Sequence, residues 1–339
     1  MDKQGLVSSK NKSGRISNDK NRRVRLKMAR DCICVVEELT KEYDGFRAVD
    51  NISFCVRRGE IFGFLGPNGA GKTTTVRMLC GLTRITRGKA LIDGLDVARN
   101  YRDVKKIIGV VPDVSNMYPE LSCWDNLVFC CEMYGVPRRK IDDRVEELLR
   151  FFGLWRWRDT KFKNLSKGLK RRLTIAAALA HNPKMLFLDE PTIGLDVLSK
   201  RAIWEIIGKL NRKGVTIFLT THNIYEAFRV CHRIAVISRG RITAIGSPEE
   251  LKRMVASQEV LEVAFSPQKV SAEELRKLKS VVHVVESNGI FKLAVNNALT
   301  ALEEVVKLAR SRGLSLSILN LKGADAEDVF LKLIGEKHA

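Results

Sequence analysis

Gly66-Pro67-Asn68-Gly69-Ala70-Gly71-Lys72-Thr73 decides the fold of this 339-residue chain. The apolar run 61–65 leads directly into it and reads as a strand, and the stretch 72–80 leaves it and reads as a helix. A glycine-rich segment between a strand and a helix is a phosphate-binding loop in the context that validates the motif. Its glycines let backbone N–H groups converge on phosphate oxygens without Cβ interference, and the helix adds the positive end of its dipole. Lys72 offers a point charge to the β- and γ-phosphates of a nucleotide, and Thr73 offers a hydroxyl to Mg²⁺. The candidate nucleotide-binding set is therefore Gly66, Pro67, Asn68, Gly69, Ala70, Gly71, Lys72, Thr73 and Thr74.

Outward from the loop, strand patterns occur at 32–38, 52–56, 185–188, 215–220 and 234–238, with helical patterns at 198–210 and 224–229. Strands alternating with helices imply a parallel sheet covered on both faces. The run Met185-Leu186-Phe187-Leu188 ends in Asp189-Glu190. Acids at the C-terminal edge of a buried strand are where Mg²⁺ and an attacking water would be held. Asp189 is the candidate Mg²⁺ partner, and Glu190 the candidate general base for hydrolysis. Such a strand end read alone is a solvated edge; beside a phosphate loop the functional reading dominates. From 118 to 180 the strand signals stop, and 124–134, 138–152 and 166–180 read as helices, an insertion into the α/β core. Beyond residue 256 the pattern restarts as β-α-β-β-α-β, a small α+β domain at 257–339 of split-βαβ type.

Lys and Arg number 59 against 39 Asp and Glu, a net charge of +20, which favours anionic partners without choosing among nucleotide, nucleic acid and membrane surface. Residues 1–30 hold ten of the basic residues and only Asp2 and Asp19 as acids, a polar tail of charge +8 with no apolar anchor. Reversible contact with an anionic membrane is one reading of that tail, and a dispensable solvated segment is the other. Met28 lies just ahead of the first periodic segment and leaves a later start open. No stretch approaches the roughly 20 apolar residues of a spanning helix, so a soluble, intracellular protein is expected. The eight cysteines show no paired spacing of a zinc site and read as reduced, mostly buried thiols.

Leu165-Ser166-Lys167-Gly168-Leu169 resembles the LSGGQ signature of ATP-binding cassette (ABC) ATPases. Pro191-Thr192-Ile193-Gly194-Leu195-Asp196 is similar to the family's D-loop, His222 to its switch histidine, and Tyr43 to the aromatic stacked on adenine. The motifs stand in family order across about 31–255. The resemblance implies a P-loop NTPase cassette at 31–256, with its helical subdomain at about 118–180, binding ATP and Mg²⁺. It implies two cassettes sandwiching two ATPs, with Ser166, Gly168 and Asp196 of one copy facing the phosphate loop of the other, and His222 contacting the γ-phosphate. His222 and Tyr43 each have a bland reading, a hydrogen-bonded strand-end histidine and a core or surface aromatic. His181, His232, His283 and His338 have no motif support.

Three positions depart from the family pattern. Asp113 stands where a Gln links Mg²⁺ and water to the helical subdomain, Lys167 replaces a Gly, and Leu169 replaces a Gln. Asp113 is taken as a metal ligand beside Thr73 and Asp189, the alternative being a plain loop residue. The ending Asp325-Ala326-Glu327-Asp328-Val329-Phe330-Leu331 looks like the tail of ABC-2, drug-resistance-type exporter subunits, or else belongs to a merely stabilising domain. The expected function is an ATP-hydrolysing subunit that energises a separate membrane permease, peripheral on the cytoplasmic face. The alternatives are a soluble ABC ATPase acting on ribosomes or nucleic acid, and a weakly hydrolysing ATP sensor. Neither duplication nor coiled-coil heptads speak for nucleic acid.

Overall fold

The computed structural model describes residues 31–255, 259–267, 270–287, 289–322 and 330. The tail 1–30 and, apart from Phe330, the ending 325–331 lie outside the described residues. Two compact units are present. One runs to Asn223 and includes Val230–Ile242, and the other comprises Ile224–Arg229 and the chain from Thr243 onward.

The first unit holds two sheets. Strands β1 (Cys32–Tyr43) and β2 (Phe46–Arg57) form a hairpin through Asp44-Gly45, both at positive φ (43° and 83°). That two-residue turn has the twist antiparallel strands require. The chain leaves for β3 (Ile61–Leu65) and helix α1 (Lys72–Leu79). It returns with β4 (Arg87–Ile92) and β5 (Leu95–Asp96), giving an antiparallel sheet of order β2-β1-β4-β5. This corrects the expectation that 32–38 and 52–56 join the parallel sheet. Parallel neighbours need a crossover of a dozen residues or more, and a two-residue turn leaves no room for one.

After α2 (Tyr101–Ile107), the second sheet joins β3 to β6 (Ile108–Val111), β7 (Met185–Asp189), β8 (Thr216–Thr221) and β9 (Arg233–Ser238). These five are parallel, in the order β9-β3-β8-β7-β6. Every residue of β3, β7 and β8 is buried, as strands covered on both faces must be. Phe54 of β2 packs with Phe62, Phe64 and Phe218 from these strands, and Phe187 packs with Phe218, neighbouring ring centroids lying 5.4 to 6.1 Å apart. Burying each ring is worth about 1.5–3 kcal/mol, so this aromatic block ties the two sheets together. It also fixes the C-terminal ends of β3, β7 and β8, where the phosphate loop and the acids emerge.

Between β6 and β7 lie α3 (Cys123–Met133), α4 (Ile141–Phe151) and α5 (Lys167–Ala178). Ser122 and Asp125 form a capping box at the start of α3. The buried Asn126 side chain accepts from the Tyr118 N–H and donates to the Tyr118, Leu121 and Ser122 carbonyls, pinning the entry to the helical insertion. Helix α6 (Val197–Arg212) follows β7. All eight cysteines are free, and six are buried. No helix among the described residues is long and apolar enough to cross a membrane.

The second unit begins with α7 (Ile224–Val230), and the division from the first falls within β10 (Arg241–Gly246). After α8 (Pro248–Val255) come β11 (Glu259–Ser266), α9 (Ala272–Arg276), β12 (Val281–Ser287), β13 (Ile290–Val295), α10 (Ala298–Ser311) and β14 (Ser315–Lys322). The sheet order is β12-β13-β11-β14, every neighbouring pair antiparallel. Leu261, Val263, Phe265, Leu275, Phe291, Leu293 and Val305 make its core.

Candidate active site

The loop after β3 is shaped by close approaches that only glycine tolerates. A Cβ on Gly66 would lie 2.3 Å from the Ile237 carbonyl oxygen, and one on Gly71 (φ 104°) 2.5 Å from that of Ala48. The Gly66 N–H donates to the Thr221 carbonyl at 3.3 Å, and the Ala70 N–H to that of Pro67 at 3.2 Å. Lys72 is buried, and its Nζ donates to the carbonyls of Gly66 (2.9 Å) and Pro67 (3.1 Å), spanning the loop from inside. Helix α1 begins at Lys72 behind a left-handed Gly71 with no side-chain cap, so its positive end faces the loop unscreened. Ala70 is buried, Pro67, Thr73 and Thr74 are half-buried, and Asn68 and Gly69 are exposed.

Strand β7 delivers the acids to the same place. Asp189 is buried and its Oδ1 accepts from the Thr220 hydroxyl, whose oxygen in turn accepts from the Glu190 N–H at 3.1 Å. Glu190 sits at φ 46°, in the left-handed region that a non-glycine residue rarely adopts. Its Oε1 is buried 3.4 Å from Lys72 Nζ, in ion-pair rather than hydrogen-bond geometry, and its Oε2 lies 3.0 Å from His222 Nδ1. The His222 side chain remains 45% exposed. Three residues far apart in sequence thus meet on one carboxylate. That carboxylate has a cation on one side and an imidazole on the other.

Asp113 is exposed at the mouth of the helical insertion, and its carboxylate accepts from the Val114 N–H at 2.7 Å. Among the described residues no group of three or more His, Cys, Asp or Glu could hold a metal by itself. Mg²⁺ does not call for such a cluster, since it takes one or two carboxylates and completes its shell with phosphates and water. Tyr43 is exposed at the end of β1, with Lys41 Nζ 4.5 Å from its ring centre.

Ser166, Gly168 and Asp196 form a separate group. Ser166 caps α5 by accepting from the Leu169 N–H at 3.3 Å, and its side chain is exposed. A Cβ on Gly168 would lie 2.3 Å from Ser199 Oγ, so α5 and α6 touch there. Asp196 caps α6 by accepting from the Ser199 N–H (2.9 Å) and hydroxyl (2.7 Å), bonds that hold its carboxyl below the usual carboxylate range. Among the described residues no hydrogen bond or ion pair joins these three to Lys72, Glu190 or His222.

Arg171, which belongs to none of the motifs, completes the neighbourhood. It is buried on α5, and its guanidinium donates to the carbonyls of Pro112, Asp113, Asp189, Glu190 and Pro191. Burial pushes its pKa down to about 10, opposed by the charges of Asp189, Asp113 and Glu190. A signal was available: Gly168, Arg171, Ile175 and Ala178 recur at helical spacing on the buried face of α5, and a charge in such a stripe calls for partners.

Residues 49–193 match the family model for ABC transporter. The chain is 37% identical over 301 residues to the Nod factor export ATP-binding protein I of Burkholderia thailandensis, spanning 89% of this chain and 96% of that protein. It is 39% identical over 229 residues to the probable multidrug ABC transporter ATP-binding protein YbhF of Escherichia coli; this covers 68% of the chain but only 39% of YbhF. Among solved structures, the dimeric post-hydrolysis state of the ATP-binding cassette MJ0796, bound to ADP and Pi, is similar. It is 27% identical with a TM-score of 0.58, covering 63% of this chain and 98% of that one. The phosphate loop, the acid-ended strand beside it and the likeness over nearly the whole chain lead to one conclusion: this chain belongs to the ABC transporter family, among its ATP-binding proteins.

Proposed function

We propose that this chain binds and hydrolyses ATP to energise a separately encoded membrane permease of an exporter, by ATP-driven pairing of two cassettes at the cytoplasmic face. The observation that carries the reading is the convergence of Lys72 and His222 on Glu190 at the mouth of the phosphate loop. Export is supported by the likeness to a Nod factor export protein and to a probable multidrug transporter protein. In this reading 31–256 is the cassette and 257–339 an accessory domain.

The residues present fit Mg²⁺ and the phosphates of ATP. Lys72 Nζ, now on two backbone carbonyls, is placed to meet phosphate oxygens, and Gly69 has open space where a side chain would stand. Mg²⁺, when bound, neutralises phosphate charge, with Thr73, Asp189 and Asp113 as the groups that would hold it. Glu190 takes the proton of the attacking water, and His222 Nδ1 holds the carboxylate in orientation. Ser166 and Gly168 of a second copy address the γ-phosphate across the interface, with the N-terminal end of α5 behind them.

Glu190→Gln keeps the shape and removes the base. It is expected to slow turnover by roughly 100- to 10,000-fold while retaining ATP, and to accumulate an ATP-bound dimer in light scattering. Lys72→Ala is expected to lose ATP binding itself. A Glu190→Gln protein that stays monomeric in saturating Mg²⁺ and ATP and hydrolyses at the parent rate overturns the proposal.

A further inference from the structure

The five N–H donors of Arg171 have five acceptors, all main-chain carbonyls. Nε donates to Pro191 (2.9 Å), Nη1 to Pro112 and Asp113, and Nη2 to Asp189 (2.7 Å) and Glu190 (3.1 Å). A buried cation is tolerated only when its donors are matched in this way. The acceptors lie on two separate loops, one leading from β6 into the helical insertion and the other leaving β7 with the candidate base. No other side chain reproduces this: Lys presents a single ammonium and Gln a single amide, where Arg presents a rigid planar fork.

The fork meets the chain where it is strained. Glu190 stands at φ 46°, with its N–H bound to Thr220 Oγ1, and the carbonyls on either side of its Cα, those of Asp189 and Glu190, both bound by Arg171. A conformation of that kind persists only where its surroundings over-determine it. We propose that Arg171 is a positioning residue for hydrolysis, fixing the two peptide groups that flank Glu190 and tying them to the Asp113 loop. The inference rests on the reading of Glu190 as the hydrolytic base. Lys72 and the glycines of the phosphate loop are held by other contacts, so Arg171 should govern turnover and leave nucleotide affinity alone.

The test uses the full chain as parent, Arg171→Lys and Arg171→Gln, each also in a Glu190→Gln background. Steady-state ATPase rates are measured beside the Kd of a fluorescent ATP analogue. A displaced base should lower kcat on the order of 100-fold with the analogue's Kd unchanged. In single turnover, Arg171→Lys should add no further loss to Glu190→Gln, because the two residues act as one unit. A parent-like kcat in an Arg171→Lys protein whose parent hydrolyses ATP overturns the inference alone. Loss of analogue binding together with kcat, or an additive loss in the Glu190→Gln background, marks a general structural role and also overturns it. A parent that binds the analogue but shows no ATPase removes the reading of Glu190, and this inference with it.

Discussion

At the Lys72 end of the cassette, charged side chains from three separate elements meet one another. At the other end, Ser166 and Asp196 bond the starts of their own helices. Glu190 lies between Lys72 and His222 with one oxygen short of a hydrogen bond, and Lys72 rests on backbone carbonyls that a phosphate would replace. Ser166 and Asp196, by contrast, are satisfied where they stand, as N-caps of α5 and α6, and Gly168 is spent on contact with Ser199. The first arrangement holds polar groups in a strained, pre-formed site. The second is locally complete and presents an exposed helix start outward. A pair of half-sites of these two kinds, on one chain but not joined, is what a composite site shared between two copies requires.

The largest effect should come from separating the halves genetically. Lys72→Ala spoils the phosphate loop but leaves the signature end whole. Gly168→Asp does the reverse, since a side chain there meets Ser199 and sets a negative charge at the start of α5. Each variant alone should lack ATPase activity. Mixed, they form heterodimers with one site built from an intact loop and an intact signature, so activity should return on mixing. A mixture as inactive as its parts would mean that the two regions do not serve a common site.

This contrast also explains what the sequence disclosed. The phosphate loop was legible because glycine spacing, the strand before it and the helix after it are all local, and the acid-ended strand was legible for the same reason. The antiparallel sheet is hidden from a reading by apolar runs, because the mark that β1 and β2 pair as a hairpin is the two-residue turn Asp44-Gly45. Strand β4, with three exposed residues of six, carries little hydrophobic signal. Arg171 was overlooked because its partners are main-chain carbonyls, which no side-chain motif encodes. The caps formed by Ser166 and Asp196 follow from residue type at a helix start, yet their separation from Lys72 is visible only in three dimensions.

An intermediate effect is expected at Asp113, which belongs to neither end and is linked to the Glu190 side through Arg171. Its carboxylate accepts from the Val114 N–H, a bond that Asn can keep. Asp113→Asn therefore removes charge with little change in loop shape. If Asp113 helps to hold Mg²⁺, the concentration giving half-maximal ATPase activity should rise roughly 10-fold, and Asp113→Gln should retain substantial activity. An unchanged magnesium midpoint would leave Asp113 as a loop residue and confine metal holding to the Lys72 end.

The smallest effect concerns the other end and reads through stability. The Asp196 carboxyl is held below the usual carboxylate range, first by the Ser199 N–H and then by the Ser199 hydroxyl. A carboxyl whose folded value is lowered stabilises the fold above its unfolded value, and that contribution fades as pH falls through the folded value. Asp196→Asn keeps an acceptor for the cap and cannot titrate in this range. The parent should therefore have the higher Tm at neutral pH, because a negative charge at the start of α6 meets the positive end of the helix dipole. The difference should close as the solution is acidified below the ordinary range for aspartate. A Tm difference that stays constant with pH would mean that the Asp196 charge does not hold the α6 start in solution.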